Sequence, residues 1–136
     1  MNDINQAMKN IKQLQNEGKN LLEMARVGYT NDMYEIFVNT DDPGYIPHFH
    51  YRKGKPNNYT FHTCIKLKSP EYFHHTGKED NLNSKQIKEL IKFLQSSSED
   101  DENKTNWEVL LIEWNRNNSQ EKVDKNQEMP DYNKLK

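Results

Sequence analysis

The apolar residues Ile4, Ala7, Ile11, Leu14, Gly18, Leu21 and Ala25 recur at alternating spacings of three and four, which predicts an amphipathic helix over residues 3–26. Asp3 supplies an N-cap with Gln6 three residues on, and Gly28 offers a left-handed stop after Val27. Gly18 weakens this helix by ~1 kcal/mol relative to Ala. The stripe needs cover, either from the protein's own sheet or from a second copy, since the spacing persists for about three heptads.

The pattern then changes period. Tyr34 to Val38 is mainly β-branched or aromatic and is followed by the turn-forming Asp41-Asp42-Pro43-Gly44, which predicts a first strand. Two further runs, Pro47 to Arg52 and Tyr59 to Leu67, flank Gly54-Lys55-Pro56-Asn57-Asn58 and predict a β-hairpin with a five-residue loop. Alternation places Phe49, Tyr51, Tyr59, Phe61, Ile65 and Leu67 on the buried face and His48, His50, His62 and Cys64 on the other.

After an irregular stretch from Ser69 to Asp80, Ile87, Leu90, Ile91 and Leu94 form the stripe of a helix capped by Asn83 or Ser84. Ser96 to Asn103 has no apolar residue and reads as a flexible surface loop. Thr105 and Glu108 form a capping box for a last helix that buries Trp107, Leu110, Leu111 and Trp114. Beyond Asn115 the chain is almost wholly polar until Met129-Pro130-Asp131-Tyr132, a tail that is disordered unless those groups dock. The expected class is α+β: an N-terminal helix, a small antiparallel three-strand meander, and two C-terminal helices packed on one face. The corresponding division is an amphipathic helix over 1–28, an α+β core over 29–118 and a polar tail over 119–136.

Composition narrows the function classes. With 136 residues, 32% hydrophobic and 29% charged, the chain supports one small domain. Its longest apolar run, Val109 to Ile112, is far short of the ~20 residues that a membrane span requires, so no membrane association is expected. The start, Met1-Asn2-Asp3-Ile4, has neither a basic leader nor an apolar stretch, which points to the cytoplasm. A net charge of −2 removes the attraction that duplex nucleic acid exerts on its binders. The basic residues are mostly Lys alternating with Glu and Asp, as on solvated helix faces. Cys64 is the only cysteine, so it acts as a thiol, a ligand or a packed small side chain.

Two pairs of residues carry candidate chemistry. His48-x-His50 and His62-x-Cys64 lie on two strands expected to pair, and i, i+2 spacing sends both members of each pair to one face. If Lys53 pairs with Tyr59, His50 falls opposite His62 and His48 opposite Cys64, with Cβ atoms ~5 Å apart. Three imidazoles and a thiolate so placed suit a tetrahedral zinc site. Against this, a polar strand face carries histidines without a ligand, and no Cys-x-x-Cys frame is present. A Cys64 nucleophile lacks an aimed base and an oxyanion hole, and the chain has no phosphate-cradling loop or dinucleotide fingerprint. Seven tyrosines exceed what three strands can bury, and Tyr45, Tyr51, Tyr59 and Tyr72 are therefore candidate partner-binding residues.

The segment Pro47-His48-Phe49-His50, the helix from Leu82 to Leu94 and Asn106-Trp107-Glu108 resemble a group of short bacterial domains of unknown function (domain of unknown function 4160-like). Members of that group are often encoded near toxin–antitoxin or mobile-element genes. Tyr72 to His74 and Met129 to Tyr132 also resemble uncharacterised proteins of gut bacteria and their phages. The resemblance implies a similar fold from Tyr34 to about Asn118 and carries no established activity. The first helix and the Ser-Glu-Asp loop are extra to it. The resulting expectation is a non-enzymatic intracellular binding protein, phage- or mobile-element-encoded, acting on a protein partner as inhibitor, antitoxin-like or accessory factor, with no cofactor and with homodimerisation through the first helix. The alternative is a zinc-binding protein or metal-dependent hydrolase built on His48, His50, His62 and Cys64.

Overall fold

A computed structural model describes residues 24–39, 46–55, 57–73 and 80–136. The described residues form an α+β fold with four strands in one antiparallel sheet, ordered β1-β2-β3-β4: β1 Met24–Tyr29, β2 Glu35–Asn39, β3 His48–Lys55 and β4 Asn58–Lys66. Two helices follow, α1 Ser84–Gln95 and α2 Asn106–Asn117, and then a 3-10 turn at Tyr132–Lys134.

The sheet has one strand more than the pattern predicts. Residues 3–23 of the expected first helix, and the dimer seam placed on them, lie outside the described residues, but its last turn is corrected. Ala25 and Arg26 belong to β1, and Gly28 sits within that strand beside a bulge between Arg26 and Gly28 rather than closing a helix. The physical reason is pairing. Met24 to Tyr29 satisfy their backbone groups against β2, through Ala25↔Val38 and Tyr29↔Glu35, which outweighs a helical spacing of apolar residues.

The hairpin is also tighter than expected. β3 and β4 run to Lys55↔Asn58, with a bulge at Gly54 in place of the end of a five-residue loop. Gly54 has φ 118°, and an added Cβ would meet the Asn58 carbonyl oxygen at 2.7 Å, so only glycine fits. The register therefore differs by two residues from the expected one: His50 faces Cys64, His48 faces Lys66 and His62 faces Arg52. A slip of two preserves the faces, so the four candidate residues still share one side of the sheet.

On the other side, Ile36, Val38, Phe49, Tyr51 and Ile65 meet Leu90 and Leu94 of α1 and Leu110, Leu111 and Trp114 of α2. Both helices start with full capping boxes, Asn83 with Gln86 and Thr105 with Glu108. Between them, Ser97 bridges to Thr105 and Ser98 is buried, so the polar loop is pinned at its base instead of loose.

The C-terminal segment docks. The indole N–H groups of Trp107 and Trp114 donate to the carbonyls of Gln127 and Glu121 at 2.9 and 2.7 Å. Tyr132 is wholly buried against Phe49 and Trp107, and its hydroxyl donates to the Lys66 carbonyl at 2.6 Å. No helix among the described residues is long and apolar enough to cross a membrane.

Candidate metal centre

β3 and β4 bring His48, His50 and Cys64 together, and one potential ligand atom from each lies within 4.8 Å of the others. The alternation that sends these side chains to one face follows from the extended backbone, while the cross-strand pair His50↔Cys64 brings Sγ to 3.3 Å from His50 Nδ1. All three are buried, His48 and Cys64 completely and His50 to 5% exposure. A solvated polar strand face is thereby overturned: at this end of the sheet both faces are covered.

Part of the covering is aromatic. Phe37, paired with His50 across β2 and β3, lies nearly parallel to its ring at 4.6 Å, and Phe73 stacks on His48 at 4.7 Å. Trp114 of α2, although it belongs to the core on the opposite face, also comes within 5.4 Å of the His48 ring at the start of β3. Phe73 is positioned by its backbone N–H, which donates to the Cys64 carbonyl at 2.8 Å.

The hydrogen bonds around the histidines bear directly on their ligand capacity. His48 Nδ1 lies 2.7 Å from the Ile46 carbonyl, an acceptor only, so Nδ1 carries a proton and Nε2 is the nitrogen that could ligate a metal. A backbone carbonyl on the second ring nitrogen is the usual arrangement behind a metal-ligating histidine. His50 is held at both nitrogens: Nε2 is 3.2 Å from the Asn39 side-chain amide, and Nδ1 is 2.9 Å from His62 Nε2. The His50 and His62 rings are almost parallel with centroids 5.2 Å apart, a distance that equals the N···N contact plus the two ring radii. They therefore meet edge to edge.

The donor set can be compared with a tetrahedral zinc ion. Zn–N near 2.0–2.1 Å and Zn–S near 2.3 Å put neighbouring ligands ~3.3 Å apart for N···N and ~3.6 Å for N···S. The observed contacts, 2.9 Å between His50 and His62 and 3.3 Å between His50 and Cys64, are a few tenths of an ångström shorter. These two contacts need only open slightly to reach metal distances, whereas the group of three as a whole spans up to 4.8 Å and must draw in to close around an ion. His62 touches His50 but stands outside the group of three, at the half-buried margin where its backbone N–H donates to the Asp80 carboxylate at 3.1 Å.

The remaining candidate residues are dispersed. Tyr51 is a core residue with no exposed surface, stacked on Tyr34 at 4.6 Å, and so cannot present itself to a partner. Burial is the main cause that holds its phenol above the ordinary tyrosine range, with Tyr34, Asp32 and Glu89 adding repulsion. Tyr72 is partly buried, and its hydroxyl accepts from the Leu82 backbone N–H at 2.7 Å. Tyr59, expected on the core face, is displaced by the Gly54 bulge and is 38% exposed, with its ring 4.4 Å from the Arg52 guanidinium carbon. Tyr45 lies outside the described residues.

Sequence reasoning missed Phe37, Asn39, the Ile46 carbonyl and Phe73. A signal for the first was available: Ile36, Phe37 and Val38 are apolar at both parities, the mark of a strand buried on both faces. No family model matches the chain, and no curated protein or solved structure matches it.

Proposed function

We propose that this is a zinc-binding protein in which His48, His50 and Cys64 are the primary ligands and His62 supplies the fourth donor. The observation that carries the reading is the buried convergence of two imidazoles and a thiol within 4.8 Å, with the non-ligating nitrogen of His48 already committed to a backbone carbonyl. Mixed nitrogen and sulfur donors in a compact set favour zinc over oxygen-seeking magnesium or calcium.

Burial discriminates between the two kinds of zinc site. A hydrolytic centre keeps one coordination position open to water and substrate, whereas a structural centre is closed by four protein ligands. Complete burial of His48 and Cys64, with aromatic rings over His48 and His50, supports the closed kind. Zinc would then tie the start of β3 to the end of β4 and add its binding free energy to folding. The metal-dependent hydrolase is the weaker form of the proposal.

Cobalt substitution tests the coordination. Cobalt(II) bound by this set should show tetrahedral d–d bands and a thiolate charge-transfer band, with only the latter lost in Cys64→Ser. Octahedral cobalt spectra, or a thiolate band that survives in Cys64→Ser, would refute the ligand assignment.

A further inference from the structure

The two edges of the sheet are treated differently. Along β4, Lys66 N–H donates to the Glu71 carbonyl, Phe73 N–H to the Cys64 carbonyl and Asp80 N–H to the His62 carbonyl, so the following segment covers that edge. β1 is the terminal strand on the opposite side, and among the described residues nothing hydrogen-bonds to its outer backbone. A row of unpaired N–H and C=O groups is a template for another strand.

This open edge lines a groove. Arg26 to Tyr29 form one wall, and the C-terminal half of α1 with the turn after it forms the other, enclosing about 490 Å³. That volume lies within the ~300–1,000 Å³ range of ligand clefts. Phe93 of α1 closes the groove's inner side at Gly28, where an added Cβ would stand 2.9 Å from the Phe93 ring. Tyr29 is exposed at its mouth.

From this juxtaposition we propose that the β1 edge is a docking site for an extended, basic peptide segment of a partner protein, added as a fifth strand between β1 and α1. The open backbone edge selects an extended polypeptide. The bulge at Val27 breaks the flat repeat that edge-to-edge pairing of two sheets requires, which favours a single flexible strand over a second copy. Charge sets the composition. Glu89, Glu99 and Asp100 outnumber Lys92 and Arg26, and Arg26 already gives its Nε–H to Glu35 at 2.6 Å. An acidic rim attracts a basic segment. The proposal stands independently of the zinc reading and gives the expected protein partner a location other than Tyr45, Tyr51 and Tyr72.

Because main-chain hydrogen bonds supply most of the affinity in strand addition, a generic probe suffices. Two synthetic heptapeptides, alternating Lys with Val and Glu with Val, are titrated into the full-length 15N-labelled protein. The Lys peptide should shift and protect amides of Arg26 to Tyr29 and shift those of Glu99 and Asp100, binding at least tenfold more tightly than the Glu peptide. N-methylation of alternate peptide amides should abolish binding when it falls on the edge facing β1 and leave it intact on the other edge. The exposed double change Glu99→Lys with Asp100→Lys should reverse the preference without altering the melting temperature. Equal binding of both N-methylated forms, shifts confined to other residues, or no shift at millimolar peptide overturns the proposal. Concentration-dependent shifts of the same amides without peptide would instead identify a second copy as occupant and overturn it too.

Discussion

Removing the Tyr132 side chain measures how far the domain depends on its C-terminal segment. Tyr132 is wholly buried, touches Phe49 and Trp107, and satisfies the Lys66 carbonyl through its hydroxyl. Truncating a buried aromatic side chain to Ala costs ~3–5 kcal/mol, and an orphaned carbonyl adds ~1–3 kcal/mol. Undocking of the segment sets the ceiling, because the chain beyond Tyr132 can release and let water reach Lys66. Tyr132→Ala should therefore destabilise by ~3–5 kcal/mol in urea unfolding, a large part of the ~5–15 kcal/mol that a domain commands. Tyr132→Phe keeps the ring and loses only the hydroxyl, costing ~1–2 kcal/mol. The gap between the variants isolates ring packing from the hydrogen bond. A loss below ~1 kcal/mol for Tyr132→Ala, or equal losses for both, would refute a docked tail whose ring is part of the core.

Burial holds the phenols of Tyr51 and Tyr132 above the usual tyrosine range, so above pH ~10 the unfolded chain loses two protons that the native state keeps, and stability should fall by up to ~2.7 kcal/mol per pH unit. Burial raises the Tyr72 phenol too, so Tyr51→Phe should reduce the alkaline slope without abolishing it, at little cost near neutrality, since the Tyr51 hydroxyl has no hydrogen-bond partner among the described residues; an unchanged slope would contradict its burial. Gly54→Ala should cost ~1–3 kcal/mol and disturb the hairpin register, visible as altered cross-strand NOEs, because φ 118° and three backbone atoms within 3 Å exclude a Cβ. Glu35 is 7% exposed and receives both Arg26 and Arg52 at 2.6 Å, so Glu35→Ala should cost ~2–4 kcal/mol and the isosteric Glu35→Gln less, read by thermal unfolding; equal effects would show that the charge is idle.

The two helices were legible because their signals are local. Asn83 with Gln86 and Thr105 with Glu108 announce the starts, and Leu90, Leu94, Leu110 and Trp114 mark the buried stripes. β2 and the hairpin were legible for the same reason. β1 was not, since Ala25 continues a helical spacing and only pairing with β2, a non-local event, makes it a strand. The hairpin register was missed by two residues because the Gly54 bulge looks in sequence like part of a loop. In the candidate centre, i, i+2 spacing found His48, His50 and Cys64, and the even slip left their common face intact. Their burial was hidden, because it depends on Phe37 from a neighbouring strand and Phe73 from an irregular segment.

The zinc content of protein purified without added metal or chelator tests the central claim most directly. Elemental analysis should find about one equivalent of zinc, retained through gel filtration and lost in the double change His50→Ala with Cys64→Ser. Chelation should lower the melting temperature of the parent protein, and zinc should restore it, with neither treatment affecting the double variant. Metal-free parent protein whose melting temperature is unchanged by added zinc would contradict the account.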